Sequence, residues 1–136
     1  MATFIVADAI ANAQLDAIEA QIGASGLLQI WSGAVATIGA DPGNLMASMV
    51  LPVDEWANAG VPTARQKTFN GPWVIPAANV VLGGAPGSFV LKTAGGVAMA
   101  RGDVGGPGSG ATMIVASVPL VVGVSLQINS FTLIRP

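Results

Sequence analysis

The chain has 136 residues, the usual size of one domain, and contains no cysteine, so disulfides and thiolate metal sites are excluded. Only 9% of the residues are charged, against about 25% in an ordinary soluble domain, while the hydrophobic fraction is 52%, the mean hydropathy +0.68 and the net charge −2. Such a composition fits either a membrane protein or a subunit whose surface is largely covered by partners.

The chain opens with an apolar, β-prone arm, residues 1–6, that includes Phe4, Ile5 and Val6. Next comes a helical segment over about 8–22. Asp8 is placed to act as its N-cap, and Ile10, Leu15, Ile18 and Ile22 supply an approximate helical stripe. Asp16 and Glu19 fall on the wetter face. Gly23 is a natural stop, because glycine reaches the left-handed region without a Cβ penalty. The early acidic residues and the lack of a basic n-region argue against a signal peptide here.

Beyond Gly26 the punctuation changes. Eighteen Gly and nine Pro leave few segments able to extend a helix past two turns. Short β-prone runs lie between them: 27–31, 45–51, 89–93, 97–101, 112–118 and 124–134. Asp41-Pro42-Gly43-Asn44 reads as a turn in which Asp41 caps backbone amides. Ala94-Gly95-Gly96 has the chemistry to close a hairpin, with Lys92 and Arg101 flanking it.

In the last run, Val124, Leu126 and Ile128 alternate with Ser125, Gln127 and Asn129, as in a strand with one buried face. Phe131 and Leu133 continue the apolar set one residue late. One extra residue near Asn129-Ser130 returns both to the same face, which predicts a β-bulge.

Many short strands with Gly/Pro turns make the expected fold mainly β, a jelly-roll-like β-sandwich with one short N-terminal α-helix, in one domain spanning 1–136. The stretch 52–76 reads as a long loop excursion from it. It carries Asp54, Glu55, Arg65 and Lys67 among four prolines, with Trp56 and Trp73, which read first as a small satellite core under the loop and second as interface anchors. Long ordered loops often carry binding function.

Function classes narrow by elimination. The charge-free runs 68–91 and 104–133 are broken by Pro and Gly, so neither offers about 20 continuous apolar residues for a membrane helix. The five basic residues are scattered rather than clustered, which speaks against nucleic acid as a partner. Absence of His, Cys and Tyr removes the commonest general base and the best nucleophile, and with them triad catalysis and His/Cys zinc sites. No cofactor, metal or catalytic residue is expected. Asp54-Glu55 reads as a solvated turn, and the Gly105–Gly110 loop lacks the Lys-Ser/Thr of a phosphate cradle.

Three segments point further: Asn12-Ala13-Gln14-Leu15-Asp16-Ala17-Ile18, Leu27-Leu28-Gln29-Ile30-Trp31-Ser32-Gly33 and Ile128-Asn129-Ser130-Phe131-Thr132-Leu133. With Gly87-Ser88-Phe89-Val90-Leu91, their order and spacing resemble the landmarks of the small capsid decoration (cement) proteins of tailed bacteriophages. The resemblance covers about half the chain and rests on structural motifs; the 52–76 stretch, rich in proline and tryptophan, departs from it.

The resemblance implies a jelly-roll-like sandwich that binds the outside of a phage capsid and stabilises contacts between major capsid subunits. The expected partners are then the major capsid protein and copies of the chain itself, as a dimer or trimer. The expected location is the virion surface after synthesis in the bacterial cytoplasm, with no enzymatic activity. Interface candidates are Phe4, Ile5, Val6, Trp56, Arg65, Lys67 and Trp73. Alternatives are a phage tail or fibre subunit, and a glycan-binding module using Trp56 and Trp73.

Overall fold

A computed structural model describes residues 5–35, 41–52, 56–61 and 63–135. The chain is mainly β, with one α-helix, as its Gly/Pro punctuation indicates. Helix α1 spans Asp8–Ile22. Its buried positions, Ala11, Leu15 and Ile22 with Ile18 half-buried, repeat at helical spacing. Ile10, expected in that stripe, is instead exposed, because Ala11 takes the inward position one residue on. Asp8 does not cap the helix either: Ala7 is the cap residue, without a side-chain bond, and the Asp8 carboxylate is held by Arg65. At the other end Gly23 sits at φ 71° and sends its N–H to the Glu19 carbonyl, ending the helix where the sequence predicts.

Eight strands follow: β1 Leu27–Trp31, β2 Leu45–Val50, β3 Gln66–Thr68, β4 Trp73–Ile75, β5 Ser88–Lys92, β6 Ala98–Gly105, β7 Met113–Val115 and β8 Leu126–Ile134. They pair in one network, β2-β1-β5-β6-β7-β8-β3, with β4 also on β8. Every pairing is antiparallel except β6 with β7. The pairing by itself specifies no jelly-roll order.

Six strands coincide with the β-prone runs of the sequence. The hairpin at 94–96 joins β5 to β6, where Leu91 faces Ala100. A close backbone approach locks the neighbouring loops together: a Cβ on Gly87 would lie 2.4 Å from the Gly33 carbonyl oxygen, so only glycine fits there.

The bulge in β8 is present. Ser130 faces Ile114 and Ile128 faces Val115, so Asn129 has no partner across from it on β7. The burial pattern of β8 shows the consequence: Leu126, Ile128, Phe131 and Leu133 are all buried, with two exposed residues between the second and third. The extra residue converts a broken alternation into one continuous inward face.

The 52–76 stretch is not an excursion. Strands β3 and β4 lie within it and pair with successive parts of β8, Thr68 facing Thr132 and Trp73 facing Ile128. After β4 a 3-10 turn at Ala77–Asn79 carries the chain across to the opposite border of the network. There Val80 bridges Ala47, and the N–H groups of Val81 and Leu82 both donate to the Met46 carbonyl, covering the outer edge of β2.

The core runs unbroken through the described residues, and its centre is aromatic. The Phe131 ring meets Phe89 at 4.6 Å, Trp56 at 4.7 Å and Trp73 at 6.0 Å, all near edge-to-face.

Candidate interaction surface

Charge is scarce in this chain, and the fold uses it internally. Arg65, on the threshold of β3, holds Asp8 at 2.5 Å and bonds the Val6 carbonyl. Its own N–H donates to Asn12 Oδ1, and its carbonyl accepts from Arg135. Its left-handed φ of 63° costs about 1 kcal/mol in a residue with a Cβ, and these four bonds offset that.

Lys67 on β3 is fully buried, with Nζ 2.6 Å from Asp16, 2.9 Å from Glu19 and 2.9 Å from the Ala57 carbonyl. This cluster clamps α1 to β3. Asp41 receives Arg101 at 2.6 Å and Lys92 at 3.1 Å, drawing the 41–44 turn against β5 and β6. Its carboxylate thus serves two side-chain cations rather than the backbone amides expected of it.

Asp103 accepts the Thr112 N–H at 2.9 Å, and Arg135 bonds Gln14 at 2.8 Å. Each of the ten charged side chains among the described residues therefore has an internal partner.

The carboxylates register these contacts. Burial works to raise Asp16, but hydrogen bonds from Lys67 and the Ala59 N–H, with the Lys67 charge, outweigh it and leave it lowered. Asp41 is lowered chiefly by the Arg101 hydrogen bond, and Asp103 chiefly by the Thr112 N–H. A carboxylate lowered in the folded state stabilises the fold above its ordinary value of 3.8, and that contribution disappears as pH falls through the folded value. The chain contains neither His nor Cys, the side chains whose ordinary values lie in or next to the range of roughly pH 5 to 8. The urea midpoint should therefore be flat across that window and fall below about pH 4. A midpoint that slopes between pH 5 and 8, or holds at pH 3, would contradict these assignments.

The interface candidates fall in several places. Phe4 lies outside the described residues, as do Asp54 and Glu55 of the expected solvated turn. Ile5 is 79% exposed, whereas Val6 is buried. Trp56 and Trp73 are 3% and 4% exposed and belong to the Phe131 cluster, so they are core, as their first reading has it, and as interface candidates neither presents a face to a partner. They point inward because β3 and β4 bind their stretch to β8. Lys67 likewise has no surface to offer, since its ammonium is enclosed by α1. Arg65 is 26% exposed and ties the helix start to the sheet end.

The exposed apolar surface lies elsewhere. Residues 80–84 and 118–124 meet through paired bonds between Gly84 and Leu120 and through the Gly123 N–H on the Val80 carbonyl. While Leu120 turns inward, Val81, Leu82, Val118, Val121, Val122 and Val124 remain 37–57% exposed. Both segments fall in charge-free runs, so no charged residue of either segment interrupts the patch. Clustered apolar exposure of this kind marks contact sites. The signal was in the sequence as the Val-Val pairs at 80–81 and 121–122, but strand-like alternation hid which of these valines face outward.

A second feature is a groove of about 420 Å³ at the far end of β8, lined by Leu15, Ile18, Phe89, Leu133 and Arg135 among others. No helix among the described residues is long and apolar enough to cross a membrane. Compared with protein families, curated proteins and solved structures, the chain matches none.

Proposed function

We propose that the chain is a structural virion subunit of the capsid decoration type, binding the outside of a tailed-phage capsid and stabilising contacts between major capsid subunits. The observation that carries this reading is the valine-rich patch of 80–84 and 118–124, on a molecule whose described charges all serve internal contacts. A protein that works by covering and bridging needs apolar area and a rigid fold more than titratable chemistry. Each contact is repeated around the shell, so modest single-site affinity is multiplied by avidity. The order of the helix and strand motifs supports the same reading through their resemblance to decoration proteins. The glycan-binding alternative loses its motivation, because Trp56 and Trp73 are interior and cannot stack on a sugar ring.

The double substitution Val121→Asp with Val122→Asp tests the patch. Both side chains are more than half exposed, so stability should change by no more than about 0.5 kcal/mol per site. Affinity for shells made without this protein should fall at least about tenfold, because two carboxylates must then be desolvated on docking. Unchanged shell binding by the folded variant would remove the patch from the interface.

A further inference from the structure

Helix α1 is seated by residues far from it in the sequence. Among the described residues its side-chain bonds go to Ala59, Arg65, Lys67 and Arg135, the nearest of them 43 positions from its partner on the helix. Its apolar footing is Ala11, Leu15 and Ile22. The groove of about 420 Å³ runs along Leu15 and Ile18, so that flank of the helix is not packed shut. Among the described residues α1 precedes every strand, and it can leave the sheet without any strand leaving.

The connection from α1 to β1 is the short segment Gly23–Gly26. Within it Ser25 stands at φ 58°, a left-handed backbone that a residue with a Cβ adopts only under strain. Drawn out straight, these residues span up to about 14 Å.

We propose that residues 5–22 exchange between two copies of the chain, α1 of each docking on β3 of the other. The occupant is a second copy because the seat is already specific. It offers Lys67 to two acidic groups one helical turn apart and Arg65 to a third, and α1 carries that set as Asp16, Glu19 and Asp8. Exchange therefore keeps every contact of the helix and needs no new one. What changes is the hinge, which opens from a folded form to an extended one and releases Ser25 from its strain. Short strained hinges favour such an exchange. The cost of association opposes it, so concentration decides the balance. Copies standing side by side on a shell are at high local concentration, and exchanged helices tie them together. That setting rests on the decoration reading; the exchange does not.

Concentrated native chain, diluted and sedimented at once, should contain a dimer that decays slowly, because separation requires α1 to undock. Glycine takes the left-handed backbone freely, so Ser25→Gly keeps the monomer fold and removes the strain at both hinges. It should lower the association constant of the dimer at least about tenfold. Single thiols in this cysteine-free chain place the contact. In dimers formed from a mixture, a short bismaleimide should join Gln14→Cys of one chain to Arg135→Cys of another, the two positions that bond in the monomer. Gln21→Cys, about 10 Å further along the helix, should not link to Arg135→Cys. A chain that stays monomeric at every concentration overturns the exchange. So does a dimer that Ser25→Gly leaves unchanged, or one in which positions 14 and 135 of different chains do not link. None of these results touches the decoration reading, whereas a dimer that forms as expected while no form of the chain binds shells removes that reading and keeps the exchange.

Discussion

Replacing Phe131 by alanine should destabilise the fold by about 4 kcal/mol, among the largest effects open to a single side chain here. The ring is fully buried and touches Phe89, Trp56 and Trp73, which come from three different stretches of chain. Removing it opens a cavity whose walls are rigid rings set at steep angles to one another. Such walls collapse poorly, which places the loss near the upper end for large-to-small changes. Phe131→Leu keeps most of the volume and should cost roughly half as much. Urea unfolding of both variants checks this. A loss below about 1.5 kcal/mol for the alanine variant would show that the aromatic cluster is not the centre of the core.

Lys67→Ala should cost about 3 kcal/mol, at the low end for breaking a buried ion pair, because its acidic partners keep contact with water. The substitution leaves a void beneath α1 and removes the two ion pairs that hold the helix to β3, together with the bond to the Ala57 carbonyl. Lys67→Met fills the same space without a charge. It should recover more than half of that loss, since an enclosed ammonium carries its own desolvation cost. Equal losses in the two variants would assign the effect to the ion pairs rather than to packing. Hydrogen exchange offers a second readout: α1 amides should open faster in Lys67→Ala, while those of β1 and β5 keep their protection.

The parts of the fold that are legible in the sequence are those specified by local chemistry. Residues 8–22 announce a helix by their alanines and stop at Gly23, and six strands announce themselves between turn residues. The bulge at Asn129 is visible because an alternation of period two admits a single repair when Phe131 arrives one residue late. What could not be read is set by distant partners. Residues 66–68, Gln-Lys-Thr, have no apolar alternation, and they form β3 only because Leu133 and its neighbours on β8 supply the pairing. A core role for Trp73 is legible from the sequence, but that it joins the main core around Phe131 follows from the same pairing.

Lys67 is the sharpest case. A lysine next to tryptophans and prolines suggests an exposed loop, yet Asp16 and Glu19, 51 and 48 positions away, draw it under the helix. Spacing along the chain cannot show that three charges from two elements converge. Asp8 does not cap α1 for a related reason: Arg65, 57 residues later, claims its carboxylate. The candidate surface was legible only in outline. The long charge-free runs were evident, but which of their valines face water depends on the Gly84–Leu120 bridge.

Binding of the purified chain to shells made without it, titrated to saturation and followed by heating of the decorated particles, tests the decoration role most directly. Saturation at a fixed ratio to the major capsid protein and a raised disruption temperature are the expected results. An absence of saturable shell binding, or protein confined to the tail or a single vertex of the virion, would contradict that role.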